Sequence, residues 1–190
     1  MHFALKLKQR GCVVRRTTVG DLFRAYPGRH PDILQCTNDS GTSVPLDGIT
    51  VEDCDLRSQV NNKSHAMRAK ACAMRFGRGP YSAMTIRRNI IELGDEPDGQ
   101  VSYTAIDVVG CNGLVIEDNQ ILSDFASDPS RRYPAFGLKG CQNMSILNNI
   151  INQIKLTGST GTVSGNVTMR GTATTGDPSG VVGTPVPPPV

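Results

Sequence analysis

LVIEDNQIL (114–122) and MSILNNIIN (144–152) share one form: an apolar residue, any residue, Ile, two residues, Asn, any residue, Ile. MTIRRNIIE (84–92) repeats it. ITVEDCDLR (49–57) does so with Cys54 in the Asn place, and CVVRRTTVG (12–20) with Thr17 there. GTVSGNVTM (161–169) is a last, weaker copy around Asn166. Self-similarity of this kind decides an architecture before any local propensity does. The anchors Thr17, Cys54, Asn89, Asn119, Asn149 and Asn166 stand 37, 35, 30, 30 and 17 residues apart. An apolar column precedes them (Val14, Val51, Ile86, Ile116, Ile146, Val163) and a second follows (Val19, Leu56, Ile91, Ile121, Ile151, then Thr168).

A second strand precedes the later anchors. AIDVVGC (105–111) and AFGLKGC (135–141) align at the same 30-residue offset, with CAMRF (72–76) and DILQC (32–36) in that role earlier. Alternating residues over such short runs read as strands with one face in and one out. The pattern always returns in the same chain direction, which excludes hairpins. The expected fold is therefore all-β, a right-handed parallel β-helix of about five coils. Ile and Val columns fill its interior. Asn sits at the bends, adopting left-handed backbone and hydrogen-bonding along the stack. The β-helix domain is placed at 1–172. A Pro/Gly-rich tail or linker, ending in TGDPSGVVGTPVPPPV, is placed at 173–190. FALKL (3–7) lies directly before the first anchor, so the first coil is read as uncapped. The expectation is that further coils, another chain or a homo-oligomer covers it.

Composition agrees with this and removes several function classes. The chain has 190 residues, 20 Gly, no Trp and 5% aromatics, so small and β-branched residues carry the core. The net charge of +3 is scattered, and the basic residues lack aromatic companions, which argues against nucleic acid as a partner. No apolar run is long enough for a membrane span, and the start carries no visible signal peptide. Six cysteines without a C-x-x-C pair, beside three histidines, point to no zinc or other metal site, and no cofactor is expected. Cys111 and Cys141 share a ladder position, where stacked buried thiols are favoured over a disulfide.

With these columns in view, the chain resembles the right-handed β-helix repeat proteins of the pectin-lyase-like superfamily over about residues 3–170. HPDILQ (30–35), following VGDLFRAYPGR, is similar to a segment that opens a coil in a subgroup of bacterial and phage β-helix proteins. The resemblance implies polysaccharide lyases, hydrolases or epimerases, phage tailspikes that bind and cut surface glycans, or adhesins and structural parts. It thereby implies an extracellular or virion location. The expected function is a glycan-binding or polysaccharide-processing domain, tailspike-like or extracellular. The alternative is a non-catalytic structural module, a virion component or adhesin-type spacer. Enzyme activity stays open; if present, it is that of a polysaccharide lyase or glycoside hydrolase.

On a β-helix, outward residues of successive coils form a row that can follow a sugar chain. Hydrolysis needs two carboxylates roughly 5–9.5 Å apart. Lyases and epimerases need a base and a cation. The catalytic candidates are His30, Asp32, Arg75, Asp107 and Lys139, with Gln35 as a ligand contact. One register puts Arg75 beside Asp107; another, aligning Phe76 with Ile106, puts Gly77 there. A solvated row with a modest salt bridge is the plainer reading, and a backbone hydrogen bond at the start of a coil is the plainer role for Asp32. The insertions at 94–104 and 124–134 offer Tyr103, Arg131, Arg132 and Tyr133 as further ligand contacts. The pairs Glu52–Asp53 and Glu117–Asp118 recur at one repeat position and read as surface decoration.

Overall fold

The structure, a computed structural model, describes residues 3–19, 32–37, 44–58, 72–93, 104–121, 136–151, 153–168, 171–172, 174–175 and 183–184. Among them every regular element is a strand. The strands collect into parallel sheets in which hydrogen-bonded neighbours come from successive passes of the chain. Sheet A is ordered Phe3–Leu7, Asp32–Thr37, Met74–Gly77, Ile106–Val109, Phe136–Lys139, Gln153–Thr157 and Thr174–Thr175. Sheet B is ordered Val13–Arg15, Thr50–Glu52, Thr85–Arg87, Val115–Glu117, Met144–Leu147, Gly161–Ser164 and Gly183–Thr184. Sheet C holds Thr18–Val19, Asp55–Ser58, Ile90–Leu93 and Gln120–Ile121. The small sheet D, between A and B along the chain, holds Leu46–Asp47, Tyr81–Ser82 and Cys111–Asn112. Val167–Thr168 with Gly171–Thr172 is the one antiparallel pair among the described strands.

The two apolar columns are columns in space. Val14, Val51, Ile86, Ile116, Ile146 and Val163 are in-register partners across sheet B. All six are buried. Val19, Leu56, Ile91 and Ile121 are partners across sheet C. Sheet A supplies a third interior wall, with Cys36, Phe76, Val108, Leu138 and Leu156 stacked in register. The register Met74 to Ile106 sets Arg75 on Asp107 and removes the alternative in which Phe76 meets Ile106. A slip of two residues keeps the same side chains inside, so inward–outward alternation does not separate the two registers. The pairing of Phe76 with Cys36 on one side and Val108 on the other does.

The corners follow a second rule. Asn89, Asn119, Asn149 and Asn166 are buried at the bend between sheets B and C. Each Nδ2 donates to the next Oδ1 along the stack: Asn89 to Asn119 at 2.9 Å, Asn119 to Asn149 at 2.9 Å, Asn149 to Asn166 at 2.8 Å. The same Oδ1 atoms accept the backbone N–H of Asn89, Asn119 and Asn149. The left-handed backbone expected of these asparagines belongs instead to the residue before each. Arg16, Asp53, Arg88, Asp118 and Asn148 have φ between 50° and 56°, and Gly165 has φ 67°. The bend turns the chain one residue early, which points the following Asn inward.

All six cysteines are free thiols, and five are buried. Burial pushes the Cys111 thiol up to about 12, and the Cys54, Cys72 and Cys141 thiols up as well. No helix among the described residues is long and apolar enough to cross a membrane.

Candidate functional site

Sheet A turns one residue in two outward. Its central outward row runs Lys6, Gln35, Arg75, Asp107, Gly137, Lys155, each the in-register partner of the next. Neighbours along the row are about 4.8 Å apart because that is the spacing of hydrogen-bonded strands. The next outward row runs Thr37, Gly77, Val109, Lys139, Thr157. The two rows lie side by side over the middle passes, and those passes define the face.

Asp107 is the centre of the site. Arg75 Nε lies 3.9 Å from Asp107 Oδ2, with the two side chains 40% and 30% exposed. Burial raises the Asp107 carboxyl above its ordinary value, and the Arg75 guanidinium draws it only partly back. Desolvation beside a cation thus makes Asp107 a better proton acceptor than a fully solvated aspartate.

The position beside it is empty of side chain. A methyl group on Gly137 would stand 3.0 Å from Thr104 Cγ2 and 3.3 Å from Asp107 Oδ1. The Thr104 methyl and the Asp107 carboxylate therefore pack closely over Gly137, and Lys155 is its in-register partner on the next strand. Along the row, Arg75 stands on one side of this pair and Lys155 on the other. Among the described residues of this face, Lys6, Arg75, Lys139 and Lys155 are set against one carboxylate that reaches solvent, Asp107.

The remaining expectations fare differently. Gln35 joins the central row, but its Nε2 donates to Asp32 Oδ2 at 3.3 Å. Asp32 is no member of the outward row: it is 1% exposed, and its Oδ1 accepts the Cys72 backbone N–H at 3.2 Å. It ties one pass to the next, as a carboxylate at the start of a strand does when an unpaired backbone donor lies beside it. Lys139 lies one row away from Asp107 because it pairs with Val109, two residues further along the strand. His30, Tyr103, Arg131, Arg132 and Tyr133 lie outside the described residues. Gly137 and Lys155 belong to the site although the sequence pattern does not single them out. Lys155 sits in the short last repeat, where the 30-residue offset that aligns the strands no longer applies. Gly137 is visible at the Asp107 offset but reads there as a mere gap.

No family model, curated protein or solved structure matches the chain. Among the described residues, no group of three or more His, Cys, Asp or Glu side chains is placed to hold a metal ion.

Proposed function

We propose that the stacked passes form a right-handed parallel β-helix of the pectin-lyase-like kind, and that the outward face of sheet A binds an anionic glycan. The observation that carries this reading is the Asp107 carboxyl, raised by burial, with Arg75 at 3.9 Å and Lys6, Arg75 and Lys155 in the same outward row. Lys6, Arg75 and Lys155 repeat along the stack and would follow a chain of acidic sugars. Asp107 would remove the proton beside a sugar carboxylate, and Arg75 would stabilise the charge that develops. The double bond would form as the glycosidic C–O bond at the β position breaks and its oxygen leaves with the neighbouring sugar. Among the described residues of this face Asp107 is the carboxylate that reaches solvent, which suits proton abstraction by a single base, whereas hydrolysis needs two carboxylates. The location that fits is extracellular or on a virion, where such glycans are met.

The test uses polyuronate substrates with the whole chain. Formation of unsaturated ends, followed by ultraviolet absorbance, is expected with the native protein. Asp107→Asn is expected to lose about 10²–10⁴-fold in rate, the usual worth of a general base. It should retain binding and melt no lower than the native chain, because it removes a charge that burial disfavours. Binding without turnover in the native protein would leave a glycan-binding module. Neither binding nor turnover across a panel of acidic glycans would sink the reading and leave the structural module.

A further inference from the structure

Sheet B carries a pattern that the glycan face does not use. Its outward row reads Arg15, Glu52, Arg87, Glu117 on four successive in-register strands. The bend row beside it reads Arg16, Asp53, Arg88, Asp118. Each pass thus presents a pair of one sign, and the sign alternates from pass to pass. Within the molecule the pairs engage one another. Glu52, 1% exposed, accepts from Arg15, from Arg87 Nε at 2.7 Å and from Arg88 at 3.0 Å. Arg88 Nε also donates to Asp53 Oδ1 at 2.7 Å, and Arg87 stands 3.7 Å from Glu117. The arginine side chains are nonetheless 37–53% exposed. The bend row holds its charges at φ 50–56°, a backbone that suits Gly or Asn better than Arg.

The other outward row of sheet B reads Val13, Thr50, Thr85, Val115, followed by Ser145 and Thr162. These side chains are small, and Val13 is 57% exposed. From Ile106 to Ile121 and from Phe136 to Ile151 the chain crosses sheets A, B and C without an insertion.

The geometry points to a second copy of this chain as the partner of the sheet B face, related by a two-fold axis. Take an axis in the plane of the interface, parallel to the strands, midway between strands Thr50–Glu52 and Thr85–Arg87. It reverses the order of passes and keeps each row on itself. Arg15 and Arg16 then face Glu117 and Asp118 of the other copy. Asp53 faces Arg88, while Glu52 stays covered by the arginines of its own chain. In the small-residue row, Val13 faces Val115 and Thr50 faces Thr85. Each acidic side chain that reaches solvent meets an arginine, and every small side chain its like. A two-fold along the stack instead sets each pair on its own sign. The surface is self-complementary in one orientation only, as an isologous contact requires.

Sedimentation velocity of the whole chain tests this at low and high ionic strength. A dimer that dissociates as salt rises is expected. Asp118→Arg puts like charges together twice per dimer and should weaken association by at least about tenfold. Adding Arg16→Asp restores opposite signs between copies but not within one chain, and should recover the dimer. Circular dichroism confirms that each variant is folded; should Asp118→Arg not fold, Asp118→Asn, with its shallower salt dependence of association, takes its place. A monomer at every concentration and salt, or a dimer indifferent to Asp118→Arg, overturns the proposal. So does a folded double variant that stays monomeric.

Discussion

At the scale of single residues, the buried asparagines are the most heavily used side chains in the molecule. Asn119 accepts the Asn89 backbone N–H at 3.1 Å and the Asn89 side-chain amide at 2.9 Å. It donates to Ile86 O at 3.0 Å and Glu117 O at 3.1 Å. Asn119→Ala strands a buried backbone donor and opens a gap between two amides. The expected loss is about 3 kcal/mol, read from urea unfolding, since an unsatisfied buried donor alone costs roughly 1–3 kcal/mol. The ladder stops at Cys54, whose N–H donates to Asn89 Oδ1 at 3.0 Å. The Cys54 thiol lies 3.7 Å from Val14 O and 3.2 Å from Glu52 O. They are the equivalents of Ile86 O and Glu117 O, to which the Asn119 amide donates two passes later. Cys54→Asn should therefore extend the ladder and raise stability by about 1 kcal/mol, the net worth of an ordinary hydrogen bond. A lower denaturation midpoint in that variant would show that the corner does not accept an amide.

At the scale of elements, charge and burial set the pH range of the fold from both sides. The Arg87 guanidinium hydrogen-bonded to Glu52, with Arg15 beside it, holds that carboxyl below its ordinary 4.5 against the cost of burial. The Arg88 guanidinium does the same for Asp53 below 3.8. A carboxyl lowered in the folded state contributes stability above its unfolded value, and that contribution disappears as pH falls through the folded one. The native protein should thus keep its midpoint down to about pH 4.5 and lose it below. Arg87→Gln should move that loss to higher pH. The buried thiols act in the opposite sense. Cys111, at about 12 when folded and 9.0 otherwise, favours the folded state below pH 9 and ceases to do so as pH rises toward 12. Thermal midpoints across this range, with Cys111→Ala flattening the alkaline fall, check the assignment. The alternating pairs were within reach of the sequence. Arg15, Glu52, Arg87 and Glu117 stand at the same 37-, 35- and 30-residue offsets as the apolar columns. Read pass by pass, each is only a pair of like charges; read across passes, the alternation appears.

At the scale of the whole molecule, the fold was legible because one observation recurs six times. A column of Val and Ile at fixed distance from a polar anchor leaves few arrangements once every pass runs in the same direction. The site was less legible, since Arg75 and Asp107 are neighbours only in one of two registers, and both registers keep the same side chains inward, so the alternation in the sequence does not choose between them. The same logic makes stability unequal along the stack. Each pass packs on its two neighbours, so a substitution in the middle removes contacts on both sides. Ile116 is fully buried between Ile86 and Ile146, whereas Val14 is 8% exposed and has Val51 as its in-register partner among the described residues. Ile116→Ala should cost about 3–4 kcal/mol, in the range for a large aliphatic residue cut to Ala in a core that relaxes little. Val14→Ala should cost about 1–2 kcal/mol, since a smaller group leaves and one side of the gap is less enclosed. Hydrogen exchange resolves the same gradient without mutation. The amides of 115–121 and 145–151 should be the slowest, with protection falling toward 13–19. Uniform protection, or equal losses for the two substitutions, would mean that the stack unfolds as a single unit in which position along the axis carries no energetic weight.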